Sequence, residues 1–393
     1  MSTENKNCAP RLRFPGFTGD WKEKKIGDVV GSVKRGQSLQ SKDYMPGDIP
    51  VVAGGKQYAG YHNVANHEGS SITISGSGAS AGYVALHKTP IFATDCSVID
   101  EGLGYDLSFI YYVLLSMQDK IYKLQTGGAQ PHIYPKNIED IIAAFPPSLD
   151  EQKRIASCLS DIDDLICALG ENIEALKDHK KGLMQQLFPL NGDKIPCLRF
   201  PGFEGEWVEK KFSDLYARHI VKNDLSFGVD KIISVANMYY KTDAKVGDDD
   251  YMRSYNIFRF GDIAFEGNKS ANYAFGRFVE NTIGDGIVSH VFDVYSPISN
   301  DHCLEYWRYA INYEPFMRPI LEKSTKKTTM MTNLVSKDFL KQTILVPSLY
   351  EQKKIAECLT ALDDQIAAES AKLEALKDHK KGLMQQLFPQ PAK

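Results

Sequence analysis

The sequence lacks the features that define several large classes of protein. Its 393 residues contain 46 lysines and arginines against 50 aspartates and glutamates, a formal net charge of −4. It therefore has no overall basic excess for nucleic acid, and any such contact needs a locally positive face. Long apolar runs are absent, and the first residues do not form the apolar core of a secretory signal. We expect a cytoplasmic protein without a membrane contact.

Cysteine and catalytic motifs are also sparse. The seven cysteines are an odd number and form no CxxC pair, so we interpret them as packing thiols and expect no metal. The chain has no GxxxxGK[ST] phosphate loop, no NPPY or DPPY motif, no PD…ExK nuclease cluster and no HExxH. The small-residue run at Ser75–Gly82 (SGSGASAG) is interpreted as a loop that permits close backbone approach. We therefore expect no catalytic residues and no cofactor; a self-sufficient enzyme, the alternative, would need such motifs.

What the chain does have is an internal repeat that frames two unlike segments. The sequence EALKDHKKGLMQQLFP occurs at Glu174–Pro189 and again at Glu374–Pro389, preceded each time by PSLxEQK(R/K)IA. Upstream, LRFPGFTGDWKEKKIGDV (Leu12–Val29) matches LRFPGFEGEWVEKKFSDL (Leu198–Leu215). The order is therefore a leading segment, a variable block and a long helix, and then the same three parts again.

This order divides the chain into four parts. They are a first block domain (residues 1–146), a first long helix (147–189), a second block domain (190–346) and a second long helix with a tail (347–393). Because the flanks are nearly identical and the blocks are not, we expect the flanks to do one job twice. The blocks would do similar but distinguishable jobs.

Both long helices carry apolar residues at alternating spacings of four and three, which is a heptad seam. The seam residues are Ile155, Leu159, Ile162, Ile166, Leu169, Ile173, Leu176, Leu183 and Leu187 in the first helix, and Ile355, Leu359, Leu362, Ile366, Leu373, Leu376, Leu383 and Leu387 in the second. A helix of about 38 residues is about 57 Å long, which suits a coiled coil.

The simplest partner for one long helix is the other. In an antiparallel pair, Ile155 would face Leu387 and Ile162 would face Lys380, one of the residues that interrupt the seam together with Lys180 and Glu369. The alternative is that each helix packs on its own neighbouring block. The outer surface carries acidic residues, which favour a protein partner over a phosphate backbone: Asp161, Asp163, Asp164, Glu171 and Glu174.

The two blocks have a similar order of predicted elements. Short apolar runs bounded by glycine predict strands at Asp48–Gly54, Ser70–Gly76, Gly82–His87 and Cys96–Asp100, then a helix around Leu107–Leu124. The second block gives Lys231–Tyr240, Gly261–Gly267, Gly276–Glu280 and Ser289–Tyr295, then a helix around Cys303–Leu321. The blocks are therefore predicted to be two versions of one fold with altered surfaces.

Basic, amide and hydroxyl residues gather in the predicted loops, and these residue types contact phosphates and base edges. The candidate DNA-binding residues of the first block are Lys34, Arg35, Lys56, Gln57, Tyr58, Asn63, Ser77, Ser80, Gln130, His132 and Lys136. Those of the second block are Asn268, Lys269, Asn272, Tyr273, Arg277, Lys323, Lys326, Lys327, Thr328, Thr329 and Asn333. The pair Lys326–Lys327, among hydroxyls, suits a loop that clamps a phosphate backbone.

The helix openings PSLxEQK(R/K)IA, the leading segments LRFPGFxGxW and the run GGAQPHIYPKNI resemble the specificity subunit of bacterial type I restriction-modification enzymes. The resemblance covers essentially the whole chain. It implies an α+β fold in which two α/β target-recognition domains with small sheets are separated by an antiparallel two-helix coiled coil, related by a pseudo-two-fold repeat.

For function, the resemblance implies a non-catalytic subunit. Each domain would bind one half of a split double-stranded DNA sequence, while the coiled coil fixes the gap and docks two methyltransferase subunits. Those partners would carry the S-adenosylmethionine chemistry, and restriction subunits, joined through the complex, the ATPase and nuclease. The segment Met330–Phe339 does not match QPHIYPKNI, so we expect the second block to contact DNA differently. A structural adaptor whose blocks bind proteins is the remaining alternative.

Overall fold

The computed structural model describes residues 9–190, 192–242, 248–327 and 331–389, apart from the side chain of Lys327. The chain forms two units, the first from Met1–Glu171 with Ser370–Lys393 and the second from Asn172–Glu369. Each unit therefore combines one leading segment and one block with the N-terminal half of one long helix and the C-terminal half of the other.

In the first unit, the block is a small sheet assembly followed by short helices. Its elements are β1 (Lys22–Lys25), α1 (Ile26–Val30), β2 (Lys34–Arg35), β3 (Ile49–Val52), β4 (Gly60–His62), β5 (Ser71–Ser75), β6 (Val84–His87), β7 (Phe92–Ala93), β8 (Cys96–Ile99), α2 (Leu107–Ser116), α3 (Gln118–Tyr122), α4 (Pro135–Glu139) and β9 (Ile142–Phe145). The first long helix, α5 (Leu149–Leu187), follows. The central strand β5 is buried along its whole length, as its apolar and β-branched sequence SITIS predicts.

The second unit has the same plan. Its elements are β10 (Val208–Lys211), α6 (Phe212–Leu215), β11 (Tyr216–Arg218), β12 (Ile233–Ser234), β13 (Tyr239–Tyr240), α7 (Asp249–Arg253), β14 (Asn256–Phe258), β15 (Ile263–Glu266), β16 (Arg277–Glu280), β17 (Gly286–Val288), β18 (Val294–Pro297), α8 (Leu304–Ala310), α9 (Glu314–Ser324), β19 (Thr325–Lys327), β20 (Thr332–Leu334), α10 (Ser336–Lys341) and β21 (Thr343–Val346). The second long helix is α11 (Leu349–Leu387).

Sheet topology confirms that the blocks are two versions of one fold. The four-stranded antiparallel sheet has the order β2-β8-β5-β6 in the first unit and β11-β18-β15-β16 in the second. The leading strand pairs with the strand before the long helix in both units, as β1-β9 and β10-β21. The blocks differ in their remaining strands, which form a β4-β3-β7 sheet in the first unit and the pairs β12-β13 and β14-β17 in the second.

The antiparallel pairing of the long helices is visible within each unit. In the first unit, Ile155 and Leu159 near the start of α5 share a core with Leu387 at the end of α11. In the second, Ile355 and Leu359 share a core with Leu187. The aromatic residue at each helix end is buried in the same core: Phe388 lies 5.6 Å from Phe109, and Phe188 lies 6.2 Å from Trp207, between ring centroids.

Burial of the predicted seam is uneven along the helices. Seven seam residues are fully buried: Ile155, Leu159, Ile173, Leu187, Ile355, Leu359 and Leu387. The others are half-buried: Ile162, Ile166, Leu169, Leu176, Leu183, Leu362, Ile366, Leu373, Leu376 and Leu383. The ends of each helix therefore contribute most to the two cores, and the middle retains partly exposed apolar surface.

The lysines that interrupt the seam make ion pairs across it. Lys380 Nζ lies 2.5 Å from Asp163 Oδ1 and 5.3 Å from the Tyr112 ring, and the Tyr112 hydroxyl donates to Asp163 at 2.8 Å. The second unit repeats this arrangement with Lys180, Asp363 and Tyr309. A charged pair at a seam position fixes the register of paired helices. Asp163 is the neighbour of Ile162, the residue that Lys380 was expected to face.

A buried carboxylate explains why the leading segments and helix openings are duplicated. Glu151 Oε1 and Oε2 accept hydrogen bonds from Arg13 Nε and Nη2 at 2.7 and 2.8 Å, and the Trp21 indole donates to Oε1 at 3.3 Å. Glu351 accepts the same set from Arg199 and Trp207. The arginines also donate to the carbonyls of Gly19 and Gly205, whose φ angles of +88° and +78° favour glycine.

The glutamine of the EQK motif joins the long helix to the block. Gln152 accepts a hydrogen bond from the backbone N–H of Asp106 at 2.9 Å, and Asp106 is the N-cap of α2. Gln352 accepts one from the N–H of Cys303, the N-cap of α8, at 3.1 Å. The motif therefore positions the first block helix against the long helix in both units.

The leading segment also binds the end of a long helix. The N–H of Leu198 donates to the carbonyl of Gln186 at 2.9 Å, just upstream in the chain. The N–H of Leu12 makes the same bond, at 3.0 Å, to the carbonyl of Gln386, near the opposite end of the chain. Each leading segment thus binds the helix end that contributes to its own unit.

Several predicted elements of the second block were wrong in their bounds. The run Lys231–Tyr240 is a hairpin of two short strands, because the chain reverses at Met238, which has a φ of +49°. In Ser289–Tyr295 only the last two residues belong to β18, and Val291 is 70% exposed. The predicted helix Cys303–Leu321 is two helices, since α8 ends at Ala310 and α9 begins at Glu314 with Pro315 in its first turn.

We expect Glu351→Ala to lower the free energy of unfolding of the second unit by about 3–5 kcal/mol, because it leaves the guanidinium of Arg199 buried without its counter-charge. Urea unfolding followed by tryptophan fluorescence measures the change. Glu174→Ala is the matched control, because Glu174 belongs to the same unit, is exposed and makes a surface ion pair with Lys177. We call the buried glutamate with its arginine and tryptophan donors the clamp of each unit. An effect of Glu351→Ala no larger than that of the control would contradict the stabilising role of this clamp.

The stability of the second unit is expected to depend on Glu280. Burial raises the pKa of this carboxyl to about 8, and Glu280 Oε2 has no hydrogen-bond partner within the described residues. A raised folded-state pKa contributes stability below the ordinary value of 4.5 that is lost as pH rises through 8. The wild type should therefore lose unfolding free energy as the pH increases from about 5 to 8, whereas Glu280→Gln, which cannot ionise, should not. The difference between the two is at most ~1.4 kcal/mol per unit by which the folded-state pKa exceeds the unfolded-state pKa. Glu322→Gln, at an exposed position, should show no such divergence in pH-dependent urea titrations.

Candidate nucleic-acid interface

In the first unit, the candidate residues gather where β5 ends. Thr126 and His132 form a hydrogen-bonded pair, with N–H to carbonyl distances of 3.0 and 2.8 Å, so residues 127–131 are the turn of a short hairpin. This hairpin rests on the small-residue loop: Ile133 N–H donates to Gly76 at 3.0 Å, and Gly78 N–H donates to Pro131 at 3.0 Å. The loop therefore supports a hairpin that presents Gln130 to solvent.

A small cavity of about 80 Å³ lies beside this hairpin. Its lining includes Arg35, Ser77, Asp95, His132 and Tyr134. The Ser77 hydroxyl donates to the Asp95 carboxylate, and the His132 and Tyr134 rings stack at 6.4 Å. Three predicted residues, Arg35, Ser77 and His132, are thus brought together with two that the sequence did not single out.

Cys96 is also a lining residue, but its thiol is buried and lies 3.9 Å from the carbonyl oxygen of Val52. Burial, together with the nearby Asp95 charge, raises the pKa of Cys96 to about 12. The thiol is therefore neutral at physiological pH and offers no nucleophile. The cavity is a place for polar contacts through Arg35, Ser77 and Asp95.

The second unit has an equivalent hairpin at the end of β15. Thr332 N–H donates to Gly267 at 2.8 Å, and Asn268 pairs with Met331. The hairpin is β19-β20, in which Lys326 lies directly opposite Asn333. The segment Met330–Phe339 does not match the first block in sequence, and Met330 lies outside the described residues. Residues 331–339 nevertheless continue through β20 and α10 as the first block continues through His132 and α4. That the second block contacts DNA differently stays a prediction.

The remaining predicted residues of the first unit divide into two groups. The exposed ones are Gln57, Tyr58, Asn63 and Gln130, with Lys56 also exposed 5.5 Å from the Tyr83 ring and Ser80 half-buried. Lys34 and Lys136 are engaged in ion pairs: Lys34 with Asp100 at 3.0 Å, and Lys136 with Glu139 and Asp140 at 3.5 Å each.

The pair formed by Lys34 has an electrostatic consequence. Burial alone would raise the pKa of Asp100, but hydrogen bonds and charge from Lys34 and His67 hold it below its ordinary value. The carboxylate is therefore charged and neutralises Lys34, which weakens the case for this lysine as a phosphate contact.

In the second unit, five of the predicted residues are exposed: Asn268, Asn272, Lys323, Lys326 and Asn333. Arg277 is turned inward instead. Its guanidinium lies 4.9 Å from the Tyr273 ring and donates to the carbonyl of Ala236 at 2.6 Å. Lys269 is half-buried. The side chain of Lys327 and residues Thr328 and Thr329 lie outside the described part of the chain.

The sequence patterns predicted the exposed ring of Tyr58 as a contact but missed two other exposed aromatic residues. Tyr61 is 55% exposed and lies 6.4 Å from Tyr58, and Tyr134 is 52% exposed. Asp95 was missed as well. Their positions gave a signal, because Tyr61 and Tyr134 each lie within two residues of a predicted polar contact. The sequence neighbours of an aromatic residue do not show, however, whether its ring is exposed.

The described ranges lack two further kinds of feature. None of the helices there is both long and apolar enough to cross a membrane. The same ranges contain no cluster of three or more histidine, cysteine, aspartate or glutamate side chains arranged to hold a metal ion.

Comparison with solved structures supports the fold. The S subunit of the type I restriction-modification system of M. genitalium superposes with a TM-score of 0.66 at 19% identity, covering 98% of this chain and all of that one. A chain from another type I restriction-modification system superposes with a TM-score of 0.52 at 12% identity, covering 96% and 99%. At these identities the similarity shows the fold alone.

Comparison of sequences establishes the family. The type I restriction enzyme MjaVIII specificity subunit of Methanocaldococcus jannaschii is 29% identical over 187 residues, 45% of this chain and 43% of that protein, so the match spans less than half of the relative's length. The family model described as type I restriction modification DNA specificity domain matches residues 18–177 and again 205–378. The two matches coincide with the two copies of the repeat and cover most of the chain, which therefore belongs to the family of type I restriction-modification DNA specificity proteins.

Proposed function

We propose that this chain is the DNA-recognition subunit of a type I restriction-modification complex and that each unit binds one half of a split double-stranded target. Two methyltransferase subunits dock on the paired long helices, and restriction subunits join through the complex. The chain itself performs no chemistry in this proposal, and the methyl transfer from S-adenosylmethionine belongs to the docked subunits.

One observation carries the proposal: the two units have the same sheet order and the same clamps, but they present different side chains at the same hairpin. In the first unit the hairpin exposes Gln130, and in the second it exposes Lys326 and Asn333. Equal supports with unequal polar surfaces are what reading two unlike half-sites requires, because bases are distinguished by side-chain donors and acceptors.

The charge distribution is consistent with this division of labour. The candidate lysines and amides that are exposed lie on the blocks, and the first half of the long helix α5 exposes Asp161 and Asp164, although α5 also exposes lysines such as Lys153 and Lys177. Leu165, which follows Asp164 and lies about one turn from Asp161, is 59% exposed. An acidic surface with exposed leucine repels a phosphate backbone and suits a protein partner. The half-buried seam in the middle of the helices gives such a partner additional apolar surface.

The spacing of the two half-sites follows from the helices in this proposal. Proteins that read two half-sites from one face of B-DNA bind centres about one helical turn apart, ~34 Å. The paired helices, held in register by Lys180 and Lys380, set the separation for a given target.

We expect the complex of this chain with its methyltransferase subunit to methylate a split sequence. A random-sequence plasmid library, methylated in cells and read by single-molecule sequencing, measures the motif. Replacing the second block, residues 216–342, with that of another family member should change one half of the motif and leave the other half and the gap intact, because the clamps on both sides are retained.

A contiguous motif, or a change in both halves after the exchange, would contradict the proposal. Absence of sequence-dependent DNA binding by the assembled complex would favour the structural adaptor instead. A chain carrying Glu206→Ala, at an exposed residue of the leading segment outside both blocks and both long helices, serves as the control and should give the unaltered motif.

A further inference from the structure

The β19-β20 hairpin has two chemically different faces. Thr332 is 1% exposed, Leu334 packs against the core of the second unit, and the Thr325 hydroxyl donates to the carbonyl of Leu321 at 2.6 Å. Lys326 and Asn333 alternate with these residues along the two strands and are both exposed. Since side chains alternate between the faces of a strand, Lys326 and Asn333 lie together on the outer face.

The hairpin is held rigidly from its inner face. Gly267 accepts hydrogen bonds from both the N–H and the hydroxyl of Thr332, at 2.8 and 3.1 Å. A Cβ on Gly267 would lie 2.2 Å from the Thr332 carbonyl oxygen, and one on Gly276 would lie 2.9 Å from the Thr332 hydroxyl. The two glycines thus allow a contact that no other residue permits. Val335 N–H closes the base of the hairpin on Ser324 at 2.8 Å.

A rigid two-stranded ribbon with polar residues on one face matches a known shape of DNA reader. The major groove of B-DNA admits a two-stranded antiparallel ribbon, and an asparagine amide pairs in a bidentate manner with N6 and N7 of adenine. Directly opposed residues have Cβ atoms about 4.5–5.5 Å apart, so a lysine beside that asparagine can reach a neighbouring phosphate.

We propose that β19-β20 enters the major groove of one half-site, where Asn333 reads an adenine edge and Lys326 contacts the adjoining phosphate backbone. This inference rests on the function proposed above and assigns the base-reading group of the second unit. The first unit reads its half-site through a separate hairpin with different side chains, so substitutions at Asn333 and Lys326 leave that half-site unaltered.

The test uses the complex with the methyltransferase subunit and the same methylated library. Asn333→Ala should relax the requirement at one position of one half-site, lowering discrimination there roughly 10-fold to 100-fold. Asn333→Asp, which is of equal size but can only accept hydrogen bonds, should shift the preference at that same position towards cytosine, whose N4 donates. The Asp variant separates base reading from a loss of packing.

Lys326→Ala should weaken binding to all sequences roughly 3-fold to 10-fold and lower the slope of log affinity against log salt by about 1, measured by fluorescence anisotropy. Lys341→Ala is the matched control, because Lys341 is an exposed lysine of the same unit that lies at the end of α10, outside the ribbon and outside the candidate DNA-binding residues. It should leave both the motif and the salt slope unchanged.

The outcomes separate this inference from the function on which it rests. A wild-type complex with no split motif would remove the proposed function. A wild-type split motif that is unchanged at every position by Asn333→Ala and Asn333→Asp would overturn the inference alone. Equal relaxation of both half-sites by either variant would also overturn it, since it would indicate a defect of assembly.

Discussion

The structure depends on an exchange of helix halves between the two units. Neither block completes its core with its own long helix: the first needs Leu387 and Phe388 from the far end of the chain, and the second needs Leu187 and Phe188. Lys380 and Lys180, each paired with an aspartate under a tyrosine ring, fix how far the helices slide past one another. The register of the two helices therefore decides both which seam residues are buried and which helix end completes each core.

The duplicated motifs follow from this constraint, because both units must solve the same packing problem. A buried glutamate in each helix opening needs an arginine and an indole from the leading segment, and the next glutamine needs the N-cap of a block helix. These contacts join the leading segment, the helix opening and the first block helix. None of them involves the hairpin that carries the candidate DNA contacts in each unit. The surfaces of the blocks can therefore differ while the supports remain nearly identical.

The sequence predicted the parts of the fold whose signals are periodic or repeated. The heptad seam indicated paired helices, and alternating apolar runs located β5, β6, β15 and β16. It failed where tertiary context decides: a positive φ at Met238 turns one apolar run into a hairpin, and one predicted helix ends at Ala310 and begins again at Glu314. The lysines at seam positions were recognised as interruptions, but their aspartate and tyrosine partners come from distant segments and no local pattern identifies them.

The candidate site was predicted in outline only. Composition placed Ser77, His132 and Lys326 in the right segments, yet it could not separate exposed lysines from Lys34, which Asp100 neutralises, or reveal that Arg277 turns inward. It also missed that residues 331–339 follow the same order of elements as a first-block segment of unrelated sequence. Backbone hydrogen bonds to Gly76 and Gly267 hold the two segments, and such bonds leave no signature in side-chain type.

The mirrored hydrogen bonds of Leu12 and Leu198 to the two helix ends have a consequence for a chain that carries only one block. A shortened chain with a single block and its own helix would expose the tryptophan and phenylalanine surfaces that the missing helix end covers. Only a helix end donated by another molecule could cover them again.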